Sequence, residues 1–130
     1  MAAKIATLLK SPGLRLAPPA RYPLPLDLPR TMTSPEILIS EVGPRDGLQS
    51  VQATMPTAHK LRWIDVLVAA GLREIEVGSF VPARLLPQMA DVAEVVRHAV
   101  ARHPHITVMA LAPNLRGAEA ALQAGAHKVT

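Results

Sequence analysis

Apolar residues along this chain fall into two regimes, and the change comes near residue 35. Beyond it, short apolar runs alternate with amphipathic stretches. Ile37 to Val42 reads as a buried strand. Pro56 to Ala70 reads as a helix: Leu61, Ile64, Leu67 and Val68 recur at helical spacing, Pro56 suits a first turn, and Gly71 supplies a left-handed stop. Arg73 to Val77 reads as a second strand. Ala90 to Arg102 reads as a second helix, with Val92, Val95, Val96 and Val100 along its stripe. Ile106 to Leu111 is a third strand, Gly117 to Ala124 a short third helix closed by Gly125, and Lys128-Val129-Thr130 the start of a fourth strand.

Strands alternating with helices predict a parallel sheet with crossover helices, class α/β. Two architectures remain, a closed (β/α)8 barrel and an open doubly wound sheet. The open sheet places a glycine-rich phosphate turn after its first strand. Here that position holds Gly43-Pro44-Arg45-Asp46-Gly47, with a proline and a charged pair in the middle, so the barrel is favoured. A complete TIM barrel takes roughly 250 residues. The expectation is therefore the N-terminal part of a TIM (β/α)8 barrel, about three β/α units, over residues 36–130.

Residues 1–35 differ in kind. They hold seven of the thirteen prolines and five basic residues against one acidic residue, Asp27. Such a stretch makes neither helix nor inner strand, and reads as a proline-rich, basic leader, extended or disordered. It fits a secretory signal poorly, so the cytoplasm is the default compartment. The remaining residues hold nine charges of each sign, so the net charge of +4 resides in the leader. With no basic stripe on the folded part and only three aromatics (Tyr22, Trp63, Phe80), a nucleic-acid partner is not expected. No apolar run approaches the roughly 18 residues of a membrane span, so no membrane partner is expected either. The absence of cysteine excludes disulfides and thiolate metal sites within this chain.

The chemistry concentrates at the ends of the strands. Glu41-Val42-Gly43-Pro44-Arg45-Asp46-Gly47-Leu48-Gln49 follows the first strand. Asp46 offers a hard oxygen ligand to a divalent cation, and Arg45 a fixed fork of donors to a carbonyl or carboxylate oxygen. Together they suggest metal binding and stabilisation of a developing oxyanion. Glu76 and Ser79 belong to the end of the second strand and Asn114 follows the third, so all project onto the face where barrel active sites lie. Arg45 can pair with Glu76 or with Glu41. Glu74 shares the parity of Glu76, but Glu76 stands closer to the strand's end. Gln49 serves either the loop or a substrate, and Asn114 either a substrate or the cap of the third helix. His59, His98, His103, His105 and His127 fall away from this face and read as surface or structural residues.

These residues resemble the hydroxymethylglutaryl-CoA lyase family, within the metal-dependent lyase and Claisen-synthase superfamily of barrels. The resemblance runs through Glu41–Gln49, Ile75-Glu76-Val77-Gly78-Ser79-Phe80-Val81, Pro87–Asp91, Ala112–Gly117 and Ala124-Gly125-Ala126. It implies cleavage of 3-hydroxy-3-methylglutaryl-CoA to acetyl-CoA and acetoacetate with Mg2+ or Mn2+. In that reading Asp46 is a metal ligand, Arg45 stabilises the enolate, and Glu76 supports both. Arg45, Gln49, Ser79 and Asn114 would meet the acyl-CoA. Many members have Thr where Gly78 stands, which removes a hydroxyl expected close to the site. The family's remaining metal ligands, a His-x-His on a late strand, and its late-loop cysteine are not among these residues. The isolated chain is therefore expected to be inactive and self-associating, the intact enzyme homodimeric. The alternatives are a Claisen-type synthase or aldolase on another acyl-CoA or 2-oxo acid, and a non-catalytic half-barrel interaction module.

Overall fold

The computed structural model describes residues 37–130; the leader expected over residues 1–35 lies outside the described residues. In chain order the elements are β1 (Ser40–Glu41), a π-helical turn (Gly43–Gly47), α1 (Thr57–Ala69), β2 (Glu74–Ser79), a 3-10 turn (Pro87–Met89), α2 (Val92–Arg102), β3 (Thr107–Leu111), α3 (Leu115–Ala124) and β4 (Lys128–Val129). All neighbouring strands pair in parallel, in the order β1-β2-β3-β4. An open doubly wound sheet reverses its strand order at a switch point. No reversal occurs here, and this is the wall of a TIM barrel, built from three complete β/α units.

The helices bury their stripes against one face of the sheet. Ile64 and Val68 of α1, Val92, Val95, Val96 and Ala99 of α2, and Ala121 and Ala124 of α3 join Ile75, Val77, Val108 and Ala110 in one core. Each fully buried Val or Ile stabilises the fold by about 1.5–3 kcal/mol before entropy is counted. The helix ends follow local chemistry. Gly71 (φ 99°) and Gly125 (φ 97°) occupy the left-handed conformation just past α1 and α3. After α3 the chain closes with Ala126 N–H donating to Ala121 C=O at 3.0 Å.

Two expectations are corrected. The first strand, expected buried over Ile37 to Val42, is paired only at Ser40 and Glu41, opposite Glu74 and Ile75. Ile37, Leu38 and Ile39 are 76%, 60% and 64% exposed. Because β2 begins at Glu74, the residues before Ser40 have no rung to pair with. Elsewhere, α3 starts at Leu115 rather than Gly117, because Asn114 caps it two residues earlier than the apolar pattern suggests.

Strand β2 also departs from simple alternation, with a register shift between Glu76 and Gly78. A Cβ on Gly78 would lie 2.6 Å from Val92 Cγ2 and 3.6 Å from Met89 Sδ, so position 78 faces the helix layer, as Ile75 and Val77 do. Strict period-two order would have set it on the face of Glu76. The irregularity therefore returns Ser79 to the Glu76 face, the use bulges often have beside a site. A Gly78→Ala substitution should destabilise the fold by about 1–3 kcal/mol through overpacking. Urea denaturation checks this, with Val92→Ala expected to restore part of the loss in the double variant.

Candidate active site

The site is built on the face of the sheet away from the helices. Val42 C=O accepts from Arg45 N–H at 3.1 Å and Asp46 N–H at 2.7 Å, which winds the chain into the turn after β1. Glu41 folds back to accept from Gly43 N–H at 2.6 Å, so it shapes this turn rather than pairing with the arginine. Arg45 instead reaches Glu76, where both Nε and Nη2 lie 2.6 Å from Oε2. Arg45 Nη1 donates to Asp46 Oδ1 at 2.8 Å. Of five guanidinium N–H donors, three are engaged, which leaves two. Glu76 is 2% exposed and its second oxygen, Oε1, accepts from the hydroxyl of Thr130. Burying such a charge unpaired costs several kcal/mol, so the fork and the hydroxyl are what permit Glu76 to be there.

A second buried carboxylate lies two residues earlier. Glu74 Oε2 accepts from Lys128 Nζ at 2.5 Å. That hydrogen bond holds Glu74 below the ordinary value of 4.5, against desolvation, which pushes it up; Ser40 and the Lys128 charge also lower it. Lys128 on β4 and Thr130 just past it, two residues apart, thus serve Glu74 and Glu76, likewise two residues apart on β2. The sequence reading did not assign them, although period-two alternation places both on one face.

The other expected site residues are distributed as follows. The hydroxyl of Ser79 is fully buried with no hydrogen-bond partner among the described residues. Gln49 is half-buried beside the turn. Asn114 Oδ1 accepts from Gly117 N–H at 2.9 Å as the cap of α3. Asn114 also borders an open cleft of about 360 Å3 with Phe80, Arg84 and Arg116. The orientation of position 78 toward Val92 corrects another expectation, since a Thr hydroxyl there would meet the helix layer rather than the site. His98 and His103 lie 3.9 and 2.6 Å from Asp65 Oδ1 on α1, and His127 Nδ1 accepts from Val108 N–H.

The donor set for a divalent cation is incomplete. Asp46, its side chain 57% exposed, keeps Oδ2 free of protein partners among the described residues, whereas both oxygens of Glu76 are committed. Among the described residues no three His, Cys, Asp or Glu side chains converge. One carboxylate does not hold Mg2+ or Mn2+, which need several fixed ligands.

A parallel wall with a buried Arg–Glu pair and an adjacent exposed aspartate at the carboxyl ends of its strands is part of a TIM barrel, on the face where the sites of this fold lie. The chain belongs to the HMGL-like family, whose model matches residues 36–130. It is 50% identical over 94 residues to the 3-hydroxy-3-isohexenylglutaryl-CoA/hydroxy-methylglutaryl-CoA lyase of Pseudomonas aeruginosa, covering 72% of this chain and 31% of that protein. The crystal structure of hydroxymethylglutaryl-CoA lyase from Pseudomonas aeruginosa superposes with a TM-score of 0.67 over 72% of this chain and 31% of that one, at 50% identity. An HMG-CoA lyase from Acinetobacter baumannii, in complex with coenzyme A and 3-methylmalate, gives 0.65 at 39% identity over 71% and 30%. The chain thus spans about a third of the length of these relatives.

Two outcomes follow from the buried charges. Glu76→Ala should cost about 3–5 kcal/mol by stranding Arg45, with much of it recovered when Arg45→Met is added; a double-mutant cycle in urea measures the coupling. Because the folded value of Glu74 is lowered, its contribution is complete above pH 4.5 and lost as pH falls through the lowered value. Thermal melts below pH 4.5 should show that loss, and Lys128→Met should flatten or reverse it.

Proposed function

We propose that this chain carries the arginine–carboxylate part of a divalent-metal-dependent carbon–carbon lyase site acting on 3-hydroxy-3-methylglutaryl-CoA. The observation that supports this most directly is the Arg45 guanidinium, held rigid by buried Glu76 with two N–H donors to spare. Cleavage requires removal of the proton from the 3-hydroxyl and scission of the C2–C3 bond. The former hydroxyl carbon becomes the ketone of acetoacetate, and the electron pair passes into the acetyl-CoA enolate, which a proton then quenches. Arg45 donates to the enolate oxygen as charge develops there, with no reorganisation because Glu76 has already fixed the fork. Ser79, Gln49 and Asn114 orient the acyl group. Asp46 Oδ2 would supply one ligand to a Mg2+ or Mn2+ ion, and that ion would polarise the substrate's oxygens. Among the described residues no further carboxylate or histidine joins Asp46 in a metal site, so these residues alone give no turnover.

The length of the acyl branch stays open between the two substrates in the name of the Pseudomonas relative. A chimera decides it: residues 36–130 of this chain replace the matching third of that enzyme. The chimera should cleave 3-hydroxy-3-methylglutaryl-CoA, and Arg45→Met within it should lower kcat by about 10²–10³-fold. A folded, metal-loaded chimera active only on another acyl-CoA or a 2-oxo acid would replace the lyase reading with the synthase or aldolase one. Calorimetric titration of the isolated chain with Mn2+ should reveal no site tighter than about 1 mM.

A further inference from the structure

The segment leaving the π-helical turn has Arg45 and Asp46 at its root, yet all five residues from Ser50 to Thr54 are exposed. Among the described residues, no amide from Gln52 to Met55 finds a backbone acceptor. Among the described residues, the segment's polar tether to another element is Val51 C=O, which accepts from Gln88 Nε2 at 2.5 Å. Gln88 is itself held from behind. Its own carbonyl accepts from Lys60 Nζ at 2.5 Å. Lys60, 3% exposed, pairs with Asp91 Oδ1 at 2.5 Å, and Asp91 Oδ2 accepts from Thr57 Oγ1 at 2.7 Å. Thr57 and Lys60 belong to α1. Both ends of the 51–57 segment are therefore fastened to the 3-10 turn and the residues that follow it, and Met89, 2% exposed, roots that turn in the core.

We infer that Gln88 is a positioning residue for the site: its side-chain amide holds the exposed loop so that the turn bearing Arg45 and Asp46 keeps its place over Glu76. The turn is pinned in front by Arg45–Glu76 and behind by Gln88–Val51. Losing the rear tether frees the loop to open locally while the core stays closed. The catalytic consequence rests on the lyase reading above; the tether itself does not.

Hydrogen exchange on the 130-residue chain tests the tether through the amides of Ser50 and Val51, which donate to Asp46 C=O and Leu48 C=O. Gln88→Ala removes the side chain, and Gln88→Glu keeps its shape at pH 7 but lacks the donor. Both should speed exchange at Ser50 and Val51 roughly fivefold, the worth of one hydrogen bond, and shift the Arg45 Nε–H resonance. Ile64, Val95 and Val108 should be unchanged. Unaltered exchange at Ser50 and Val51 in both variants overturns the inference. So does equal acceleration of the core amides in Gln88→Glu, which would make Gln88 a support of the whole fold. In the chimera, Gln88→Glu should lower kcat with KM within about twofold, as expected for lost transition-state positioning. A chimera inactive before substitution would count against the lyase reading alone, because the exchange measurement stands apart from it.

Discussion

Burial of Glu76 is the constraint around which the rest of this structure is arranged. A carboxylate that is 2% exposed on the inner face of a sheet is tolerated only with charge and hydrogen bonds supplied to it. Both come from other elements: the Arg45 fork from the turn after β1, and the Thr130 hydroxyl from just past β4. Glu74 repeats the arrangement with Lys128. Side-chain bonds thus link the turn after β1 to β2, and β2 to β4 and the residue just past it.

The two faces of the sheet follow different rules. Toward the helices, Ile75, Val77, Val108 and Ala110 pack into an apolar layer in which volume decides what fits. Toward the interior, Glu74 and Glu76 are buried with their carboxylates hydrogen-bonded, while the buried Ser79 hydroxyl has no partner among the described residues. The register shift near Gly78 lets one strand obey both. It turns position 78 toward Val92, where only a glycine fits, and it returns Ser79 to the polar side. A single backbone irregularity thus joins the packing of α2 to the composition of the site.

The loop after β1 links these layers to function. Its front is held by a charged pair and its rear by the Gln88 amide, with buried Lys60 and half-buried Asp91 beneath. An exposed loop gains order in this way without an apolar face of its own, consistent with sites carried on loops above a rigid scaffold.

Much of this was legible in the order of residues. Helical spacing, the stops at Gly71 and Gly125 and the alternation of strands and helices are local properties, so they declare the β/α pattern without reference to anything distant. The run from Glu41 to Gln49 announced a charged site by chemistry alone. What only the tertiary structure decided depends on residues far apart in sequence. The choice of Glu76 over Glu41 as the partner of Arg45 bridges 31 positions and requires the register of β1 on β2. The extent of β1 was set by where β2 begins, not by the apolar character of Ile37–Ile39. The facing of positions 78 and 79 was set by a shift against β3 that no period-two reading contains. Local pattern determines which element forms; pairing and register, which are non-local, determine which side chains meet.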